Sequence, residues 1–189
     1  MIVLDVLKDV SLYLNLTDNF ALILNKTGEL TEENKLEFDK ILLAINNVSR
    51  SVATKIAPLK NQEVVLIENN FFDLNLLKKN LNYVCCVKNI SSSSKQKFNV
   101  FDNKLHTNFS GLARVEYFYF PQKVTNENSL VELNKTINDK MFVLGVIAEY
   151  CFINGLFDDA QIWESRFLLE IDKNFVVKKG FNLPKKRWV

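Results

Sequence analysis

Ile56-Ala57-Pro58-Leu59-Lys60-Asn61-Gln62-Glu63-Val64-Val65-Leu66-Ile67 marks the point where the apolar period of the chain changes. Upstream, Phe38, Ile41, Leu42, Ile45, Val48, Val52 and Ile56 recur at helical spacing, one buried stripe over about five turns. Thr31 is suited to cap that helix, and Glu32 and Glu33 sit where the positive end of the helix dipole favours acids. Pro58 restricts Ala57 to extended geometry and stops the helix. Downstream, through Pro121, the residues are β-branched or aromatic and come in short runs: 63–67, 83–87, 97–101, 104–107 and 113–120. Asn69-Asn70, Ser91 to Ser94 and Asp102-Asn103 supply the turn chemistry between them, and the Asp-Asn pair predicts a tight hairpin. In Arg114-Val115-Glu116-Tyr117-Phe118-Tyr119-Phe120, aromatic residues fall on both faces, which predicts a strand covered on both sides.

Helix flanks this β region at both ends. Leu4, Leu7, Val10 and Leu14 predict a short amphipathic helix near the N-terminus. Residues 138–153 are apolar on nearly every face, which predicts a central helix, and Asn154-Gly155 ends it with a left-handed cap. Asp158 is then expected to cap a last helix, with Gln161 as capping-box partner and Ala160, Trp163, Phe167 and Ile171 along its inner side. The long helix and the later helix pair each carry an apolar stripe that neither buries alone, so they are expected to pack together. The fold class is α+β: a helical bundle, made of a long helix and a C-terminal helix hairpin, with an inserted antiparallel β region and an extended C-terminal arm. The corresponding segments are 1–58, 59–122, 123–172 and 173–189.

That arm holds six Lys or Arg residues and no acid. The chain nets +2, so without those six charges the body carries −4. A mildly acidic body is a poor general DNA binder, because affinity for the phosphate backbone comes from many cationic contacts. The arm, with Lys178, Lys179, Phe181, Leu183, Pro184, Lys185, Lys186, Arg187, Trp188 and Val189, is punctuated by Gly and Pro and is expected to reach for an outside partner.

Catalysis has little support. The single histidine, His106, precludes a two-His metal site, no phosphate-loop or dinucleotide-fold glycine motif is present, and no catalytic, cofactor or metal residues are expected. Asp158-Asp159 and Glu32-Glu33 are simplest as helix N-terminal acids. Cys85, Cys86 and Cys151 fit packing roles in a reduced compartment, with the two neighbours pointing to opposite strand faces. The longest uncharged apolar run, 141–148, is far short of the ~20 residues a membrane span needs, so no membrane partner is expected.

In its order of elements the chain resembles the head-to-tail connectors of tailed bacteriophages, the portal adaptor or tail-tubular, gatekeeper-like ring proteins. The resemblance covers residues 31 to 189. It rests on Ile41-Leu42-Leu43-Ala44-Ile45-Asn46-Asn47-Val48-Ser49-Arg50 and on a β insertion ending in Val115-Glu116-Tyr117-Phe118-Tyr119-Phe120-Pro121. It continues through a helix pair with Glu149-Tyr150 and Gly155-Leu156-Phe157-Asp158-Asp159-Ala160-Gln161-Ile162-Trp163-Glu164, and through Leu183-Pro184-Lys185-Lys186-Arg187-Trp188. The resemblance implies a structural virion protein at the capsid–tail vertex, assembled in the host cytoplasm as a closed ring of about twelve copies. It further implies a portal protein above, a tail or neck protein below, and genomic DNA passing through the channel without sequence-specific binding. The arm would dock on the portal, with Phe181 and Trp188 as apolar anchors and Lys185, Lys186 and Arg187 meeting acidic surface. Another neck component, such as a stopper or tail-completion ring, a nucleic-acid-binding accessory acting through the tail, and a merely solvating tail remain alternatives.

Overall fold

The computed structural model describes residues 1–25, 27–28 and 31–175. It is mixed α+β, with antiparallel sheets between helical segments. The first helices are α1 (Val3–Leu14) and α2 (Thr17–Leu24). Val3, Val6, Leu7 and Val10 of α1 are buried, while Leu4 and Leu14 are only half-buried, so the inner stripe lies about one residue off the expected one. The amides of Val3 and Leu4 donate to the Ser129 and Glu127 carbonyls at 3.0 and 2.9 Å, which ties the start of the chain to the connection that follows the sheets.

The third helix, α3 (Glu32–Ser51), begins as expected: Thr31 Oγ1 accepts from the Asn34 amide at 3.3 Å. Phe38, Ile41, Leu42, Ile45 and Val48 are buried along it. Its end is a π-helical turn, Val52–Ile56, in which the Ala57 amide reaches five residues back to the Val52 carbonyl at 2.9 Å. The wider turn lets Val52 and Ala53 stay buried while Ala57 becomes extended ahead of Pro58.

Seven strands follow: β1 (Leu59–Ile67), β2 (Phe71–Asp73), β3 (Leu81–Asn89), β4 (Lys95–Gln96), β5 (Phe98–Phe101), β6 (Lys104–Thr107) and β7 (Gly111–Tyr119). One sheet has the order β1-β7-β3-β4 and the other β2-β6-β5. The run expected as one strand over 97–101 is divided, because β4 pairs with β3 and β5 pairs with β6. Lys97 is where the chain crosses between sheets. Asn69, Asn70, Asp102 and Asn103 all have positive φ (50°, 64°, 48° and 55°), the left-handed geometry that tight hairpins require and that Asn and Asp tolerate. The sheets enclose Val65, Ile67, Val87, Leu105, Ala113, Val115 and Tyr117, a second core separate from that of the helices.

Two strand expectations are corrected. On β7, Ala113, Val115 and Tyr117 are buried, but the opposite face is open: Arg114 is exposed, Glu116 accepts from Lys60 and Lys88 at 2.6 Å each, and Phe118 packs on Tyr83 with ring centroids 4.7 Å apart. The aromatic residues on that side form a surface pair, with no second layer above them. In β3 the pairing with β7 slips between Val84 and Cys86, so strict alternation does not hold at Cys85 and Cys86. The Cys85 thiol donates to the Glu116 carbonyl at 3.2 Å, and burial raises its pKa.

The last helices are α4 (Asp139–Ile153) and α5 (Phe157–Phe175). Asn138 caps α4 by accepting from the Met141 amide at 2.7 Å. At the other end Gly155 has φ of 73°, with Leu156 N–H to Cys151 O at 2.9 Å and Gly155 N–H to Phe152 O at 3.0 Å, the paired bonds of a Schellman motif. The short turn delivers the chain directly into α5. Ala160 N–H donates to Leu156 O at 2.9 Å, so Leu156 occupies the N-cap position and Asp158 falls inside the first turn. The expected Asp158 cap, with Gln161 as its capping-box partner, is therefore replaced by a helix that starts two residues earlier. Helices α1, α3 and α5 all contact α4, and Ala160, Trp163, Phe167 and Ile171 of α5 line the same core.

Candidate interaction surfaces

The expected docking residues, Lys178, Lys179, Phe181, Leu183, Pro184, Lys185, Lys186, Arg187, Trp188 and Val189, lie outside the described residues. Their point of departure is defined. Lys173, Asn174 and Phe175 belong to α5, so the arm begins later than residue 173. Phe175 packs against the helical core, and Lys173 pairs with Glu170 at 3.0 Å. Glu170 also receives Lys140 of α4 at 3.3 Å, and the hydrogen bonds from Lys173 and Lys140 hold its carboxyl below the usual range. One of the six positive charges assigned to the arm thus braces the last turns of α5.

Helix α5 has more apolar surface than its inner stripe uses. Ile162 and Leu169, seven residues apart and so on one outward line, are 53% and 58% exposed, and Phe157 and Leu168 on the adjoining flank are 61% and 51% exposed. Phe157 meets Phe152 of α4 at 6.2 Å, which widens the flank. Trp163 is held differently, edge-on to Tyr13 of α1 at 5.6 Å and under the Arg166 guanidinium at 4.5 Å. The helical period reveals only the buried stripe; four large apolar side chains at other positions of α5, Phe157, Ile162, Leu168 and Leu169, are the sequence signal of a second face.

A second apolar surface lies on the open side of the four-stranded sheet. Leu66 and Leu112 are cross-strand partners, Val64 is two residues along β1, and all three are more than half exposed. Further along the same side, Lys60 and Lys88 hold Glu116, whose pKa their hydrogen bonds lower to about 2. The face thus grades from an aliphatic patch into an ion-pair network and then into the Tyr83–Phe118 pair.

The other sequence candidates do not converge. His106 is exposed on β6 with Phe71 as its aromatic neighbour, Asp158 and Asp159 are exposed in the first turn of α5, and Glu32 and Glu33 are exposed at the start of α3. Among the described residues, no group of three or more His, Cys, Asp or Glu side chains is arranged to hold a metal, and no helix is long and apolar enough to cross a membrane. Tyr117 is fully buried, its hydroxyl donating to Glu63, so it offers no stacking face for a base. The chain matches no protein-family model and no curated protein sequence.

Proposed function

We propose that this protein is a structural ring subunit of a phage neck, placed between portal and tail, whose copies join side by side around a channel for DNA. The observation that carries the reading is the pair of unlike apolar surfaces, one on α5 and one on the open sheet face, each belonging to a different core. A chain that repeats one contact between two different patches forms a ring when the rotation closes, whereas a self-complementary patch gives a dimer. Exposed apolar clusters of this kind mark contact surfaces more often than they mark a free monomer. The order of elements described above for connector proteins supports the same reading, and the acidic body suits a channel through which DNA slides. About twelve copies would match the symmetry of a portal. In this reading the C-terminal arm, from Lys178 to Val189, docks on the portal, with Phe181 and Trp188 inserted and Lys185, Lys186 and Arg187 on acidic surface.

The test is native mass spectrometry and electron microscopy of the protein alone and with portal rings. Rings, or added density beneath the portal, are expected for the full chain. Deletion of 180–189 should keep the helical circular-dichroism signal and abolish portal binding; retained binding refutes the docking role. Salt-sensitive binding to any duplex, lost when Lys185, Lys186 and Arg187 are changed to Ala, would instead favour a nucleic-acid accessory. Density at the far end of the neck, away from the portal, would favour a stopper or tail-completion ring.

A further inference from the structure

Between the helical core and the sheets lies a cleft of about 550 Å³. One wall is the last turn of α3, a second is the segment leading into β3, and the third is the chain leaving β7 toward α4. These three segments are far apart in sequence, and each brings cations. Arg50 comes from α3, Lys78 and Lys79 from the approach to β3, and Lys123 from the connection. The acid in the lining, Glu132, is already committed: one oxygen takes the Lys79 ammonium and the other accepts from the Gln122 amide at 3.2 Å. Lys79 answers with a raised pKa, caused first by that hydrogen bond. Among the described residues the side chains of Arg50, Lys78 and Lys123 make no ion pair, although the Lys78 backbone amide donates to the Glu63 carboxylate at 3.2 Å.

Arg50 is held in place. Its guanidinium lies 4.3 Å from the Phe120 ring centroid, and a stacked guanidinium keeps its edge N–H donors free for a planar oxyanion. Asn46 fixes two walls of the cleft to each other, pairing with both backbone groups of Val124, donating to its carbonyl at 3.0 Å and accepting from its amide at 2.9 Å. Cations in a concavity with low-dielectric walls attract an anion more strongly than the same charges on an open surface.

We propose that this cleft receives an extended acidic peptide segment of a partner protein, carboxylates meeting Arg50, Lys78 and Lys123 and an apolar side chain resting on Phe120. Size and lining favour a peptide. The volume falls within the roughly 300–1,000 Å³ of sites that enclose a drug-sized ligand, too small to admit a duplex. A bare phosphate would leave Phe120 and Pro121 without a contact, whereas a chain alternating acidic and apolar side chains uses both halves of the lining. The site does not depend on ring formation or on the arm.

The experiment titrates the full-length ¹⁵N-labelled protein with a capped hexapeptide of alternating glutamate and leucine, its glutamine counterpart, and inorganic phosphate. The acidic peptide should shift the amide signals of Arg50, Lys78, Asn80 and Gln122, and the glutamine peptide should leave them unmoved. Lys78→Ala with Lys123→Ala, both at exposed positions, should weaken the acidic peptide by about tenfold or more. Lys8→Ala with Lys104→Ala removes the same charge elsewhere and should leave binding unchanged. No shift with the acidic peptide, equal weakening by the control pair, or stronger shifts with inorganic phosphate than with peptide would each overturn the proposal.

Discussion

Gly145 lies midway along α4, where α3 and α5 cross it. A Cβ at this position would stand 3.1 Å from Val48 Cγ1 and 3.2 and 3.3 Å from Phe167 Cε2 and Cδ2. In an open helix, Gly→Ala stabilises by about 1 kcal/mol, because glycine loses more backbone entropy on folding. Here the new methyl sits well inside the ~3.5–4.0 Å at which carbon atoms attract, and overpacking of this kind costs about 1–3 kcal/mol. The two effects oppose each other, so Gly145→Ala should give no net gain and a loss of up to about 2 kcal/mol. Gly145→Val adds two further methyl groups and a β-branched residue, and should cost about 3 kcal/mol or more. Urea unfolding followed by circular dichroism measures both. Val48→Ala should partly rescue Gly145→Ala, with a coupling energy of about 1 kcal/mol in a double-mutant cycle. Stabilisation by Gly145→Ala of about 1 kcal/mol, or additivity with Val48→Ala, would refute the close crossing.

Two further expectations concern polar contacts. Asn46→Ala leaves the buried amide and carbonyl of Val124 without their partner, and should cost about 2 kcal/mol in the same unfolding assay. Glu116 ties β1, β7 and β3 together through Lys60 and Lys88, whose hydrogen bonds lower its pKa from 4.5 to about 2. The group releases its proton more readily folded than unfolded, so its contribution is complete above about pH 4.5 and is lost as pH falls toward 2. Stability should therefore fall across that window less steeply in Glu116→Gln than in the parent, and a ¹³C carboxyl titration should place the midpoint well below that of a free glutamate.

Where one segment carries its own pattern, the sequence predicts the structure closely. The α3 stripe, the Thr31 cap, the Asn154-Gly155 stop and the Asp102-Asn103 hairpin each depend on residues within a few positions of one another. Features set by pairing across the chain are harder to read. Lys60, Asn61 and Gln62 have no strand pattern, yet they extend β1 because Phe118, Tyr117 and Glu116 lie opposite in register. The slip at Cys85 arises from fitting β3 to β7, and the early start of α5 from a Schellman turn that hands its last residue to the next helix. The basic cleft was invisible for the same reason: Arg50, Lys78 and Lys123 look like ordinary surface charges until the fold gathers them. The segment proposed to dock on a partner is known only as composition, a run of cations, proline and aromatic residues after α5.

The position of that arm sharpens how the proposed roles can be separated. Helix α5 is fixed to α4 by its inner stripe and by the Glu170 pairs, and its outward residues Ile162 and Leu169 remain exposed up to the point where the arm departs. The proposed neighbour contact would then lie on α5 and the proposed portal contact on the residues that follow it in the chain. Ile162→Glu with Leu169→Glu puts charge into the proposed neighbour contact without touching the buried side, while deletion of 180–189 spares every described contact of α5. The first variant should remain a folded monomer in solution; on the portal it should bind with the weaker, non-cooperative occupancy of isolated arms. The second should keep lateral association and lose the portal. If both variants fail in the same way, neighbour and portal share one surface, and the division of labour between α5 and the arm is wrong.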